Sequence, residues 1–271
     1  MPELPEVETI VRDLKDKIIG LTIVKAVVYD KRVIRNHKTH DFVSRLIRAK
    51  IIGVYRRGKA IVVEFEKSRY LVIQLGMTGQ LIYGATMPSI QHTRVVFYFS
   101  DGDILSYNDQ RMFGRLILTD DLNSLSYLKS IGVDPLESDF NREWIARWIK
   151  KRKIPIKNLL MNQRFIAGIG NIYASEILFS AGINPQRKAE RLTQKEIEDL
   201  RLATVGVLKE AIRFRGTSMR NYRDASGLKG KFINRIQVYG RDEESCYGCR
   251  SPIVRIVQAG RSTFFCERCQ R

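Results

Sequence analysis

The first residues of the chain combine a weakly basic amine with acidic neighbours. Met1 precedes the small residue Pro2, so we expect the methionine to be removed and the secondary amine of Pro2 to be free. An α-amino group titrates near pH 8, against about 10.4 for a lysine, so part of this amine is neutral and nucleophilic at pH 7. Its attack on an aldehyde carbon would give an iminium ion, an electron sink that permits β-elimination.

Two carboxylates, Glu3 and Glu6, follow this amine at once. An acid in that position can donate a proton to a reacting oxygen and later accept one. Pro2, Glu3 and Pro5 also suit an ordinary helix start, where proline and acidic side chains are favourable. These residues alone therefore leave both a catalytic and a purely structural interpretation open.

All four cysteines lie in the last 26 residues, as Cys246-x2-Cys249 and, 16 residues later, Cys266-x2-Cys269. Each pair can chelate one edge of a tetrahedron as thiolates, so the spacing predicts one zinc ion. Two disulfides are the alternative, which a reducing cytosol disfavours. Four thiolates leave no open coordination position, so we expect this zinc to be structural.

The residues between the two cysteine pairs predict two short strands around a turn at Ala259-Gly260. Arg255 and Arg261 would project from this hairpin. Such a hairpin can present a cation to a phosphate or to a groove.

Three further clusters could bind anions or stacked rings. Arg56-Arg57-Gly58-Lys59 places three cations on a tight turn, either to clamp a phosphate and donate a proton from Lys59 or simply as solvated charges. Gly168-Ile-Gly170-Asn171 could offer the amides of a helix N-terminus to a phosphate, or could be only a turn between helices.

The third cluster is formed by Met77, Arg111 and Phe113, each near a glycine in a turn-like stretch. Exposed at loop tips, these side chains could enter a base stack from which a nucleotide has been extruded. Ordinary core packing of Met77 and Phe113 is the alternative.

Composition indicates which partner such clusters would meet. Lys and Arg number 47 against 29 Asp and Glu, giving a net charge of +18 and a pI of about 9.9. An imbalance of this size indicates a polyanionic partner, nucleic acid first and an anionic membrane surface second. No apolar run approaches the roughly 18–20 residues that span a bilayer, and the acidic N-terminus is unlike a signal peptide. We therefore expect a cytoplasmic nucleic-acid protein.

The elements that must position these residues change type along the chain. An apolar stripe predicts a helix over residues 5–19, ended by Gly20, and β-branched and aromatic runs predict strands without intervening helices up to about residue 118. The predicted strands are Thr22–Tyr29, Ile51–Tyr55, Ala60–Glu66, Tyr70–Leu75, Arg94–Phe99 and Gly114–Leu118. This pattern is typical of an antiparallel sandwich or barrel.

Helical patterns follow from about residue 124. Thr193 and Glu196 form a capping box that opens a long helix through about Phe214, which Gly216 stops. The segment 221–231 (NYRDASGLKGK) predicts a mobile loop. We predict an α+β protein with a β domain at 1–123, a helical domain at 124–235 and a zinc hairpin at 236–271.

Several of these motifs occur together and in order in one known family. They are Pro2-Glu-Leu-Pro-Glu-Val-Glu-Thr, the Arg57-Gly-Lys59 turn, Asp109-x-Arg-x-Phe-Gly, Gly168-Ile-Gly-Asn-Ile-Tyr-Ala-Ser-Glu176 and the terminal four-cysteine finger. Nearly end to end, the chain resembles the bacterial formamidopyrimidine-DNA glycosylases, also called 8-oxoguanine DNA glycosylases. The resemblance implies an N-terminal β-sandwich, a helix–two-turn–helix module and a zinc-finger hairpin, with damaged duplex DNA bound between the domains.

The resemblance also implies roles for individual residues. Pro2 would be the Schiff-base nucleophile and Glu3 the proton donor, while Lys59 would serve β-elimination and Arg261 δ-elimination. Met77, Arg111 and Phe113 would fill the gap left by the flipped base, which the 221–231 loop would cover. The residues implied to contact DNA, mostly at its backbone, are His92, Arg111, Arg152, Lys157, Asn171 and Arg261.

The lesion preference depends on finer features. Endonuclease VIII shares the fold, Pro2, Glu3 and the finger but prefers oxidised pyrimidines, and its start usually has glycine where this chain has Leu4. Leu4 and the set of Met77, Arg111 and Phe113 resemble the purine enzyme, whereas Gln74 stands where many members have histidine. A lesion-binding protein without chemistry is the competing hypothesis, but a pure binder does not need Pro2, Glu3 and Lys59. We expect one zinc, no redox cofactor, no catalytic metal and a monomer.

Overall fold

Helix α1 (Leu4–Ile18) buries one apolar stripe in the first part of the fold. Val7, Ile10, Leu14 and Ile18 on this stripe are all fully buried. The helix begins with a reciprocal capping box between Glu3 and Glu6 and ends just before Gly20, whose φ is +89°. The helix predicted over residues 5–19 is thus confirmed to within one residue. The structure, a computed structural model, describes residues 1–86 and 91–271.

Nine strands of the described chain build two sheets, which form the β-sandwich. The four-stranded sheet, in the order β1-β7-β8-β6, is antiparallel throughout, and the five-stranded sheet has the order β2-β9-β5-β4-β3, with only β2 and β9 parallel. The strands are β1 (Ile23–Val28), β2 (Ile34–Arg35), β3 (Ile51–Arg57), β4 (Ala60–Phe65), β5 (Arg69–Gln74), β6 (Gly79–Gly84), β7 (Thr93–Phe99), β8 (Ile104–Asp109) and β9 (Arg115–Thr119). The predicted antiparallel sandwich is confirmed apart from the short β2 pairing.

One predicted feature of this region is wrong: a helix, α2 (Thr39–Leu46), separates β2 from β3. Only Phe42 and Leu46 of α2 are buried, one turn apart, which is too short a pattern to reveal a helix in the sequence. Strands β2, β6 and β8 were not predicted either. All six residues of β8 are buried, so no alternation marks that strand.

The chain divides into two compact units. Met1–Lys129 and Phe214–Ile233 form the first, and Ser130–Arg213 and Asn234–Arg271 form the second. Residues 214–233, which we assigned to the helical domain, therefore belong with the sandwich. The boundaries at residues 123 and 235 stay a prediction.

The second unit contains helices and the C-terminal hairpin. Its long helix begins with the predicted capping box, in which the Thr193 amide donates to Glu196 Oε2 at 2.8 Å. Its elements are α4 (Arg142–Ile149), α5 (Ile156–Leu160), α6 (Asn171–Ser180), α7 (Gln194–Arg213), β10 (Val254–Gln258) and β11 (Arg261–Phe265), while α3 (Ser126–Lys129) ends the first part of unit one. Within the described ranges, no helix has both the length and the apolar character needed to cross a bilayer.

The segment 221–231, predicted as a mobile loop, is anchored at several points in the first unit. Tyr222, Asp224 and Ala225 are buried there, and Tyr222 and Ala225 belong to its hydrophobic core. Leu228 is 63% exposed, so only part of the segment faces solvent. Its mobility stays a prediction.

Gly114 permits a close approach that a larger residue would block. A Cβ there would lie 1.7 Å from Tyr107 Oη and 2.8 Å from the Gln74 carbonyl oxygen. We expect Gly114→Ala to lower the free energy of unfolding by about 2–3 kcal/mol, because buried backbone must move. Urea unfolding measures this loss. Gly84→Ala is the control, because an added Cβ there meets no atom of the described residues within 4 Å beyond its chain neighbours. Equal stability of the two variants would contradict the prediction.

Candidate active site and metal centre

The start of α1 brings together the groups predicted to do chemistry at the N-terminus. Met1 is 61% exposed, whereas Pro2 is buried and the Glu3 and Glu6 residues are 3% and 2% exposed. The Glu3 carboxylate accepts the Glu6 amide, and the Glu3 amide donates to Glu6 Oε2 at 2.8 Å. The residue next to the Pro2 nitrogen is therefore fixed by hydrogen bonds at both its backbone and its side chain.

Residues 214–233 complete this arrangement, which the sequence did not predict. The Thr217 amide donates to Glu6 Oε1 at 2.7 Å, so both oxygens of the Glu6 carboxylate accept a backbone amide. Gly216 makes room for this contact, since a Cβ there would lie 2.8 Å from Glu6 Oε1. In the sequence Gly216 marked only the end of a helix, and no spacing rule connects it with a glutamate about 210 residues earlier.

Tyr222 closes the same site from another side. Its hydroxyl donates to the Glu6 carbonyl oxygen at 3.4 Å. Burial, helped by the nearby Glu6 carboxylate, raises the pKa of Tyr222, so it stays a neutral hydrogen-bond donor. The sequence gave no signal for this contact either.

The cations of the Arg56–Lys59 turn have different environments. Gly58 and Lys59 form a two-residue turn between β3 and β4, and the Lys59 amide donates to Tyr127 Oη at 3.3 Å. Arg56 is structural, because its Nε binds Glu8 Oε2 at 3.0 Å and its side chain is 6% exposed. Burial opposes the charge on Glu8, but hydrogen bonds from Arg12 and Arg56 hold the pKa of that carboxyl below its usual value. Lys59 itself is half-buried.

A single buried carboxylate, that of Asp109, holds the two turns that carry Met77, Arg111 and Phe113. Thr78 Oγ1 donates to Asp109 Oδ1, and the Gly114 amide and Tyr107 hydroxyl donate to Oδ2 at 2.8 and 3.1 Å. The Arg111 amide in turn donates to Thr78 Oγ1 at 3.0 Å. The motif Asp109-x-Arg-x-Phe-Gly therefore has a definite physical basis in this fold.

The side chains on these turns point outward. Met77 is 45% and Phe113 54% exposed, and the Arg111 guanidinium lies over the Phe113 ring at 4.7 Å. Core packing of Met77 and Phe113, the alternative considered above, is wrong. His92 lies beside this cluster, where its carbonyl oxygen accepts the Asp109 amide at 2.9 Å. The buried Nδ1 of His92 has no hydrogen-bond partner within the described ranges.

In the second unit, Lys157 and Asn171 support the start of β11. Lys157 is fully buried, and its Nζ donates to Asn171 Oδ1, Thr263 Oγ1 and the Ser262 carbonyl at 2.7, 2.7 and 3.1 Å. Asn171 Nδ2 also donates to the Ser262 carbonyl, at 2.9 Å. Asn171 is the first residue of α6, as predicted. This geometry makes Lys157 a support beneath Asn171 and the hairpin, and its DNA contact stays a prediction.

The two arginines of this unit that the resemblance implies to contact DNA, Arg152 and Arg261, are exposed. Arg261 is the first residue of β11, directly before the Ser262 that Lys157 and Asn171 hold. The Arg152 guanidinium lies 5.3 Å from the Trp148 ring. Both side chains are accessible to an anion.

Glu176 connects α6 to the residues that lead into the finger. Its two oxygens accept the amides of Gln237, Val238 and Tyr239 at 2.7 to 3.0 Å. Burial raises the pKa of Glu176 although these amides oppose the shift. The Gly168–Glu176 motif thus places Asn171 and an anchor for the finger on one helix.

The four cysteine sulfurs are arranged as a metal site. They lie within 4.8 Å of one another, with Cys249 and Cys266 at 3.3 Å and Cys246 and Cys269 at 3.9 Å. Tetrahedral zinc with Zn–S bonds of about 2.3 Å requires S–S distances of about 3.8 Å, so the residues fit the ion. The hairpin turns at Ala259-Gly260, as predicted. Both residues have positive φ, as a type I′ turn requires.

Comparison with known proteins covers the whole chain. Residues 1–116 match the formamidopyrimidine-DNA glycosylase N-terminal domain, residues 131–223 the H2TH domain of the same glycosylase, and residues 234–271 a zinc finger found in FPG and IleRS. The formamidopyrimidine-DNA glycosylase of Pelotomaculum thermopropionicum is 42% identical, over 100% of this chain and 99% of its own length. That of Rickettsia conorii is 38% identical over the same shares.

Solved structures of this kind of glycosylase also match over nearly the whole chain. A Lactococcus lactis FPG variant bound to DNA containing Fapy-dG has a TM-score of 0.92 at 34% identity, with both chains fully covered. The MutM (FPG) protein of Thermus thermophilus has a TM-score of 0.89 at 38% identity, over 99% of this chain and 98% of its own. These matches define a DNA glycosylase built from a β-sandwich, a helix–two-turn–helix module and a zinc finger. The chain belongs to the formamidopyrimidine-DNA glycosylase family.

The finger should depend on its metal. Replacing one cysteine pair, Cys246→Ser with Cys249→Ser, is expected to abolish tight binding of one zinc per chain, because two thiolate ligands are removed. Since the ligands hold the hairpin together, affinity for duplex DNA should fall as well. Elemental analysis and fluorescence anisotropy measure the two effects. Ser245→Ala, beside the ligands, should retain both; a double-serine variant with full zinc would refute the assignment.

Proposed function

We propose that the chain excises oxidised purines, 8-oxoguanine and formamidopyrimidines, from duplex DNA and then cleaves the abasic site by β,δ-elimination in base excision repair. The observation that carries this proposal is the Pro2 nitrogen placed directly before a buried, hydrogen-bonded pair of carboxylates. Family membership adds support, since the neighbouring structures include Lactococcus lactis Fpg bound to DNA with an abasic site.

The chemistry follows from the amine. The Pro2 nitrogen attacks C1′ of the damaged nucleotide, the bond from C1′ to the base breaks, and the base leaves with the proton that the Pro2 nitrogen gives up. The bond from C1′ to the ring oxygen then breaks, which opens the sugar ring and leaves an iminium ion. Glu3 gives its proton to the ring oxygen. The iminium then accepts the electrons of the C2′–H bond as the proton leaves, and the 3′ phosphate departs. In the δ step the C4′ proton and the 5′ phosphate leave, which releases the sugar from DNA, and water then hydrolyses the iminium and frees the Pro2 amine.

The remaining proposed site residues serve these steps or hold the DNA. Lys59, half-buried on its turn, assists β-elimination, and exposed Arg261 assists δ-elimination. Met77, Arg111 and Phe113 fill the space of the flipped nucleotide, which their exposure supports. The residues proposed to contact DNA, mostly at its backbone, are His92, Arg111, Arg152, Lys157, Asn171 and Arg261.

The proposed partner and setting follow from the same function. Damaged double-stranded DNA is the substrate, one structural zinc is held by the four cysteines, and the protein acts as a monomer. It works in the bacterial cytoplasm, associated with the nucleoid through DNA. The net charge of +18 supports polyanion binding.

Borohydride trapping tests the reaction and its lesion preference together. Two matched duplexes carry 8-oxoguanine opposite cytosine or thymine glycol, and we expect a covalent adduct mainly with the first, because reduction fixes the Pro2 iminium. An adduct mainly with thymine glycol would keep the amine chemistry but assign oxidised pyrimidines, the endonuclease VIII preference. No adduct with either, from protein lacking Met1, would favour a lesion-binding protein.

The matched variant for this assay carries one alanine inserted between Met1 and Pro2. After methionine removal its Pro2 nitrogen is an amide and cannot attack, so trapping should disappear. The control carries the alanine after Arg271 instead and should be trapped normally. Normal trapping of the N-terminal insertion would exclude Pro2 as the nucleophile.

Glu3→Gln separates the two steps. The amide oxygen of glutamine can still accept the Glu6 amide, so the helix start should persist, but the proton donor is lost. We expect excision of 8-oxoguanine to fall by about 10²–10⁴-fold, the usual contribution of such a group, with cleavage of a pre-formed abasic site retained. Single-turnover rates on the two duplexes measure this. Equal losses on both would contradict the assignment of Glu3.

A further inference from the structure

Arg215 adopts an unusual backbone conformation at the end of α7. Its φ is +62°, in the left-handed region that favours glycine, and it directly precedes Gly216, whose φ is +77°. A long side chain in this conformation usually carries a cost of about 1 kcal/mol or more. Contacts made by the side chain must therefore offset the cost.

Those contacts join two separate parts of the first unit. The Arg215 Nη2 binds Asp13 Oδ2 on α1 and Asp224 Oδ2 in the 221–231 segment, both at 2.6 Å, and its Nε binds Asp224 Oδ2 at 2.8 Å. The Asp13 side chain is 13% exposed and that of Asp224 is fully buried. One guanidinium thus pairs with two poorly hydrated carboxylates.

Asp224 is also the residue that shapes its own segment. Its Oδ1 accepts the amides of Ser226 and Leu228 at 3.0 and 2.9 Å, and its amide donates to the Leu228 carbonyl at 2.9 Å. Because Oδ1 organises the loop, Oδ2 is the oxygen that connects the loop to Arg215. Without the guanidinium, a buried carboxylate would lose its cation, which is a costly change.

Further bonds hold the segment on the sandwich. The Tyr83 amide on β6 donates to the Ala225 carbonyl at 2.8 Å, and Lys17 Nζ on α1 donates to Ser226 Oγ at 3.2 Å. These contacts are neutral or exposed, whereas the Arg215 contact is charged and reaches a fully buried group. Arg215 therefore attaches this segment to α1 through a charged contact with a buried carboxylate.

We propose that Arg215 is a positioning residue for base excision: by binding Asp13 and Asp224 it fixes the 221–231 segment. The inference rests on the proposed function and on the resemblance described above, which implies that the 221–231 segment covers the flipped base. Base excision needs the covered base, whereas lyase action on a pre-formed abasic site has no base to cover. Arg215 should therefore affect the first step more than the second.

Arg215→Gly tests this directly. The variant removes the ion pairs with Asp13 and Asp224, and it relieves the strain of the left-handed backbone at residue 215. We expect the single-turnover rate of 8-oxoguanine excision to fall about tenfold, since small misplacements distant from the chemistry cost rates of this order, while cleavage of a pre-formed abasic site changes less than about twofold. Amide hydrogen exchange at residues 221–231 should become faster, and exchange in β4 should be unchanged.

Milder variants keep the test valid if the glycine variant folds poorly. Asp13→Asn removes one charged partner with little change in shape, and Arg215→Lys keeps the charge without the planar fork, so each should cost about threefold in excision. The control is Arg48→Gly in the same unit. Arg48 is exposed with φ +64°, and its amide bond to the Ile23 carbonyl survives in glycine, so neither rate should change.

Two results would overturn the proposal. Equal losses on both substrates would show that Arg215 only stabilises the fold, and unchanged excision with unchanged exchange would show that it positions nothing. Failure of the proposed function looks different, because the unmodified protein would then neither excise 8-oxoguanine nor cleave the abasic site. The exchange measurement would still decide whether Arg215 fixes the segment in that case.

Discussion

The Glu6 carboxylate is the interaction on which the N-terminal site depends. One of its oxygens accepts the Glu3 amide beside Pro2, and the other accepts the Thr217 amide from a segment about 210 residues away in the chain. Hydrogen bonds from two amides to one carboxylate are directional, so they fix the relative orientation of the two backbone segments that Glu6 joins. Removing it would leave two amide groups without their acceptor in a buried place, which is why no apolar residue could replace it.

Buried carboxylates that accept backbone amides occur at three further places in the described part of the protein. Asp109 holds two turns through the Gly114 amide and two hydroxyls, Glu176 holds three consecutive amides before the finger, and Asp224 closes the 221–231 segment. In a chain with 29 acidic residues against 47 basic ones, these acids lie inside and bind backbone, while the exposed arginines remain accessible.

Local patterns allowed most of the fold to be predicted. The α1 stripe, the α7 capping box, the strands with alternating burial and the cysteine spacing each lie within a few neighbouring residues, where periodicity and chelate geometry apply. Helix α2 and strands β2, β6 and β8 were missed. Helix α2 is too short for a clear period, and β8 is buried on both faces.

Long-range contacts explain the remaining failures. Gly216, Thr217 and Tyr222 approach Glu6 only after the chain has returned from the second unit, and no local rule connects them. The resemblance implies that Lys157 contacts DNA, yet the structure buries its side chain completely. Candidate residues were thus predictable by type, while their supports were not.

The Asp109 arrangement also has a thermodynamic consequence. Met77, Arg111 and Phe113 are held on turns whose backbone is hydrogen-bonded to one buried acid. Ordering a flexible side chain on association costs about 0.5–1.5 kcal/mol, and loosely held turns would add backbone entropy to that amount. Because folding has already restricted these turns, their entropic cost falls largely on the folding equilibrium. More of the free energy of association is then available to deform the partner between whose groups the Phe113 ring and the Met77 thioether insert.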